Sequence, residues 1–292
     1  MSSRSLKLSA WLSVAVLTLA AVPLAKKMAL SGGGDAILIA FSTAVVAGII
    51  ILAWLVLRGQ VGTLSELTLR DWRSVLLVGA LGSGLVSLFG ILAMTETSAA
   101  NRALFQSAYP VATAISARLL LKERLDRLAY VWVGLVCLGL VLMNLEPGAG
   151  LSLLSWPFWL LLATLPLIGL SDVIAKRSLD KLTPEVIAFG RATGALLILS
   201  LLLPWMDASL KEAGLSVWLW VLLAGTCMGV FAVALYQVFD HTLATLAASL
   251  IALAPVLTLG LELSFLELQL GAIQWVGFAL VIGAAIMLAR RV

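Results

Sequence analysis

The sequence predicts an all-α polytopic membrane protein, with ten transmembrane helices arranged as two inverted five-helix repeats. Three observations carry this. First, the 292 residues are 62% apolar and only 12% charged, with a mean hydropathy of +1.11, whereas ordinary soluble domains carry about 25% charged residues. The 19 basic and 15 acidic side chains cannot coat so apolar a body, so lipid must be the solvent for most of it. Second, apolar runs long enough to cross about 30 Å of hydrocarbon, roughly 20 helical residues each, recur along the chain. Third, an ordered series of short motifs in the first half returns in the second.

The ten segments are residues 8–30, 34–58, 72–95, 99–121, 127–145, 153–179, 183–203, 216–240, 244–266 and 271–291. Segment 1 follows Arg4 and Lys7 and could pass for a cleavable signal peptide. Its counterpart later in the chain argues for a retained helix. Segment 2 opens at Asp35, after Gly32-Gly33-Gly34. That string mimics the GxGD of intramembrane aspartyl proteases, but an aspartate in a turn before an apolar run fits a helix N-cap. Residues 37–57 are apolar on every face, which excludes the alternation of a lipid-facing barrel strand.

Segment 3 carries Gly79, Ala80, Gly82, Gly84 and Gly90, small residues that let helix backbones approach closely. Segment 4 presents Arg102, Gln106, Tyr109 and Thr113 as a helical stripe, with Pro110 near its middle. After segment 5 comes the turn-rich Glu146-Pro147-Gly148-Ala149-Gly150, which sets the boundary between repeats at 1–146 and 147–292. Segments 6 and 7 carry Asp172 and Arg191, read as the only strong charges clearly inside hydrocarbon. Their similar depth predicts an interhelical ion pair, serving either as a fastener or in coupling to substrate or protons. Segment 8 repeats the small-residue spacing in Gly225 and Gly229 and adds Tyr236 and Gln237; segment 9 carries Ser249 and Pro255.

Shifting by about 143 to 150 residues brings the halves into register: Ala25-Lys26-Lys27 meets Ala175-Lys176-Arg177, Ile39-Ala40-Phe41 meets Ile187-Ala188-Phe189, Pro110-Val111 meets Pro255-Val256, and Trp132-Val133-Gly134 meets Trp275-Val276-Gly277. A unit of five spans is odd, so the second copy enters from the opposite side. Inverted repeats around a site near the bilayer midplane are the architecture of secondary transporters. On this reading Pro110 and Pro255 kink segments 4 and 9, free the carbonyls of Gln106 and Ile251, and act as hinges. The central cavity is expected between segments 1, 3, 4, 6, 8 and 9, with Ser87, Gln106, Tyr109, Thr113, Tyr236, Gln237 and Ser249 as substrate-binding candidates. Sparse polar groups among aromatics suit a small amphipathic molecule, and no ring of charges suggests an ion channel.

Charge placement orients the chain. With the N-terminus inside, 14 basic residues face the cytoplasm, four, among them Lys26 and Arg102, face outward, and Arg191 lies within a span. Both termini are therefore expected to be cytoplasmic. The basic balance then reflects loops over anionic lipid and calls for no nucleic acid. Tryptophans near segment ends suit an interfacial belt. Cys137 and Cys227 are lone thiols within spans, neither a disulfide framework nor a metal site. His241 is the sole histidine, and no Gly-Lys dipeptide exists to build a phosphate-binding loop. No catalytic residues, metal or cofactor are expected; the expected partners are a small-molecule substrate and the lipid bilayer, with a monomer as the working unit.

On these motifs the sequence resembles the drug/metabolite transporter superfamily, specifically its EamA-type ten-helix exporters. The marks are Ser98-Ala99-Ala100 through Tyr109-Pro110-Val111 to Leu121-Lys122-Glu123-Arg124-Leu125, then Trp132-Val133-Gly134, echoed by Ala248, Pro255-Val256, Glu267 and Trp275-Val276-Gly277. The sequence departs from the family where Leu19-Ala20 replaces a frequent Trp-Gly and Thr43 replaces an arginine, which Arg191 keeps in the second half. The form is most similar to the YddG-type exporters of aromatic amino acids. That resemblance implies export of aromatic and other apolar amino acids across a bacterial inner membrane; the alternatives are a transporter of another solute, such as a cationic drug or a nucleotide sugar, and, from a different class, an intramembrane enzyme.

Overall fold

A computed structural model describes residues 3–96, 102, 105–106, 108–122, 127–143, 155–205, 214–251, 253–266 and 271–289. Every regular element among the described residues is helical. Helix α1 (Ser3–Ser31) continues through Pro23, and α2 (Ala36–Leu57) starts where Asp35 Oδ1 accepts the Leu38 N–H at 2.8 Å, the capping role expected of it. A short 3-10 turn (Val61–Glu66) leads to a capping box between Thr68 and Asp71 at the head of α3 (Leu69–Gly79). A π-helical turn at Ala80–Leu85 joins α3 to α4 (Val86–Glu96). Helices α5 (Tyr109–Leu120) and α6 (Arg127–Met143) follow. The second half comprises α7 (Trp156–Ser178), α8 (Pro184–Ser200), α9 (Leu215–His241), α10 (Ala244–Ile251), α11 (Ala254–Leu266) and α12 (Ala272–Ala289).

Among the described residues five stretches are long and apolar enough to cross a bilayer: Lys7–Ser31, Ala36–Leu57, Leu69–Glu96, Trp156–Ser178 and Leu215–His241. Tyr130–Gly139 and Trp275–Ala284 are shorter apolar stretches. Of the ten expected segments, segment 9 is divided by the structure into α10 and α11. The cause is proline chemistry. Pro110 and Pro255 were expected to kink continuous helices; each instead occupies the second residue of a new helix, where its missing N–H leaves no hydrogen bond unmade. The same turn precedes both. Ala108 O accepts from the N–H groups of Val111 and Ala112, and Leu253 O accepts from those of Val256 and Leu257.

The packing repeats when segment numbers are shifted by five. Helix α1 lies along α9 as α7 lies along α3 and α4; α9 packs on α2 as α8 packs on α3; α5 packs on α7 as α11 packs on α1. Helices α6 and α12 pair with each other. Close approach is built in by glycine. A Cβ at Gly225 would stand 2.4 Å from Val46 Cβ on α2, and one at Gly84 would stand 3.3 Å from Ala195 Cα on α8. Outward-facing leucines and isoleucines, such as Leu17, Ile49, Leu119 and Leu222, are exposed, as an apolar solvent requires. The proposed boundary at 146 and 147 lies outside the described residues.

Candidate functional site

The recess between the two sets of helices begins with the π turn. Such a turn widens one coil of a helix and leaves backbone groups out of the regular i to i−4 ladder. The Gly82 carbonyl there accepts a hydrogen bond from Arg191 NH2 at 2.9 Å. Arg191, buried on α8, also donates through Nε to Ser83 Oγ at 2.5 Å and through NH1 to Tyr236 Oη at 2.9 Å. Its guanidinium lies 5.8 Å from the Tyr236 ring centroid and 6.0 Å from that of Phe231. Three donors aimed at three fixed acceptors hold the side chain still, and one π turn binds α8 and α9 to segment 3. Just before that turn, Ser171 Oγ on α7 donates to Val78 O at the end of α3 at 3.0 Å.

Asp172 lies one residue further along α7 and accepts from Thr113 Oγ1 at 2.8 Å. The expected direct ion pair between Asp172 and Arg191 is not seen; each has its own hydrogen-bond partners. Spacing along two helices gives depth but not azimuth. Asp172 turns toward α5 and Arg191 toward the π turn and α9, so the two charges line one recess through separate partners.

That recess leaves about 100 Å³ free for the centres of water-sized spheres. Its lining comes from segments 1, 3, 4, 6, 8 and 9, as expected, together with Arg191 of segment 7. Most of the wall is apolar, supplied by residues such as Leu19, Val86, Ile168, Phe231 and Phe239. Of the expected substrate-binding residues, Ser87, Gln106 and Tyr109 line it, as do Pro110 and Pro255. Thr113 and Tyr236 stand one layer behind, holding Asp172 and Arg191. Gln237 is a correction: its Nε2 donates to Glu185 Oε1 at 2.9 Å, so it ties α9 to α8 away from the recess. The side chain of Ser249 lies outside what the structure describes, although Ala248 and Ile251 of α10 reach the wall.

Two cations that the charge count placed outside are in the wall. Lys26 is buried and donates from Nζ to Ser87 Oγ at 2.6 Å. Arg102 is buried against Gly90, where a Cβ would stand 2.7 Å from its Cζ, and its NH1 lies 3.8 Å from Met94 Sδ. The signal was their position inside segments 1 and 4 rather than beyond their ends. A second, smaller recess continues toward α2, lined by Ala40, Ala44, Ala47 and Thr43. Lys26, Ser83, Ser87, Arg191 and Met228 belong to both walls and stand between the two spaces.

The chain is a multi-pass helical membrane protein with a part-polar recess among its spans, and the described residues hold no cluster of His, Cys, Asp or Glu able to bind a metal. A family profile described as the EamA-like transporter family matches residues 7–145 and again residues 154–290. The chain belongs to the EamA-like transporter family, and it carries two copies of that family's domain. One solved crystal structure, described only as that of a protein, shares the fold with a TM-score of 0.78 over 97% of this chain and 98% of its own, at 21% identity. No curated protein matches.

Proposed function

We propose that this transporter exports small amphipathic metabolites, aromatic and other apolar amino acids first among them, across a bacterial inner membrane by alternating access. The observation that carries this reading is the recess itself: a mostly apolar chamber, walled by both halves of the chain and set with a few fixed polar groups. The repeat order supports ten spans in two oppositely threaded units, residues 1–146 and 147–292. The inward excess of basic residues supports cytoplasmic termini. The substrate then touches Ser87, Gln106 and Tyr109, and segments 4 and 9 bend at Pro110 and Pro255. A wall holding Lys26, Arg102 and Arg191 against Asp172 disfavours a cationic drug, because like charge repels in a poorly solvated chamber.

The experiment is transport of labelled phenylalanine, leucine and a cationic dye in liposomes containing the purified protein. Counterflow of phenylalanine above empty liposomes, saturable and competed by unlabelled tryptophan, is expected. Transport of the dye alone would overturn the assignment.

A further inference from the structure

The recess is electrically lopsided. Its wall carries three cations, Lys26, Arg102 and Arg191, and one carboxylate, Asp172. Arg191 is held in place by hydrogen bonds to Ser83, Tyr236 and Gly82, which use three of its five N–H donors. Lys26 has a hydroxyl as partner, Ser87 Oγ, and Arg102 has the weakly accepting sulfur of Met94. Among the described residues neither cation lies within ion-pair distance of a carboxylate. Burying a charge without a counterion is unfavourable, so two such charges on one wall point to an anion that arrives from outside the chain.

We propose that Lys26 and Arg102, with Ser87 of α4 beside Lys26, form the seat for the anionic group of the transported solute, a carboxylate in the first instance. The inference rests on the reading of the recess as the substrate chamber and adds which end of the substrate goes where. An ammonium and a planar guanidinium supply donors from two sides, which a carboxylate's two oxygens can take together. Gly90 is what leaves room for Arg102 to lie against α4, since a side chain there would collide with the guanidinium. The apolar body of the solute then lies toward Phe231 and Phe239, and Asp172, with one oxygen held by Thr113, faces the same chamber where an α-ammonium would find it.

The test is calorimetric binding to the purified full chain in detergent, with four probes: L-phenylalanine, 3-phenylpropanoate, 2-phenylethylamine and UDP-glucose. Phenylalanine and 3-phenylpropanoate are expected to bind, with 2-phenylethylamine at least about tenfold weaker. Lys26→Met and Arg102→Met should each weaken the two carboxylates by about tenfold or more, the loss expected for one charge-assisted contact. Lys26→Arg, which keeps the charge, should retain most of the affinity, and Arg58→Met, which removes a cation stacked on Trp54 away from the recess, should change nothing. A melting curve on each variant separates lost binding from lost folding. Equal binding of 2-phenylethylamine and 3-phenylpropanoate, undiminished carboxylate binding by both methionine variants, or no binding of any anion would overturn the seat. Binding of UDP-glucose alone, dependent on Lys26, would uphold the seat and instead overturn the amino-acid reading of the chamber.

Discussion

Arg191 NH1 and Tyr236 Oη lie 2.9 Å apart, and both side chains are buried. The contact joins α8 to α9 behind the recess, while the other two donors of the same guanidinium hold the π turn of segment 3. Its removal leaves Gly82 O, Ser83 Oγ and Tyr236 Oη without their donor. Arg191→Met should therefore lower stability by about 2–5 kcal/mol, and Tyr236→Phe, which removes one bond and keeps the ring, by about 1 kcal/mol. Thermal melts of the detergent-solubilised protein rank the two, and a Tyr236→Phe loss equal to that of Arg191→Met contradicts the shared anchor.

Because Asp172 bonds Thr113 while Arg191 bonds elsewhere, neutralising both charges should not restore what either loses. Transport by the double variant Asp172→Asn with Arg191→Gln is expected at or below that of the weaker single. Coupling should appear instead between Thr113→Val and Asp172→Asn, about 1 kcal/mol in a double-mutant cycle on stability. Recovery in the charge-neutralised double would reinstate a direct pair.

The sequence made the helices legible and the chamber partly so, for physical reasons that differ by residue. Apolar runs identify spans because lipid leaves the backbone no other partner, and Asp35 is readable as a cap because capping is local. Lys26 and Arg102 were placed outside because a cation near a span end normally reaches the headgroups; their positions inside segments 1 and 4 hinted otherwise, and their contacts with Ser87 and Gly90 of α4 show it. The π turn at Ala80–Leu85 has no sequence signature, being a register change of one residue that tertiary contacts select. Gln237 and Glu185 are 52 residues apart, and no spacing rule connects them.

Gly225 tests helix approach. Adding a methyl there brings it to 2.4 Å from Val46 Cβ and 3.0 Å from Thr43 O. Gly225→Ala should destabilise by about 1–3 kcal/mol, the range for overpacking a tight core. Introducing Val46→Gly in the same chain removes the colliding side chain and should return part of that loss. Melts that show no such return would place the strain at the Thr43 carbonyl alone.

Pro110 and Pro255 each follow a turn in which one carbonyl, of Ala108 or Leu253, serves two successive N–H groups. Both prolines also line the recess, so a helix restart and the chamber wall are the same place. Alanine at either position restores an N–H and the means to continue the helix, which lowers the cost of a straight rod. If bending at these restarts carries the exchange between inward- and outward-open forms, Pro255→Ala should keep substrate affinity within about twofold and slow counterflow several-fold. Stability should be unchanged or raised by about 1 kcal/mol, since the same substitution lets an interrupted helix close its ladder. The double variant should be slower than either single if both halves must bend in each cycle. Counterflow at the wild-type rate in the double variant, with binding intact, would reduce both prolines to static breaks and move the bending elsewhere in the chain.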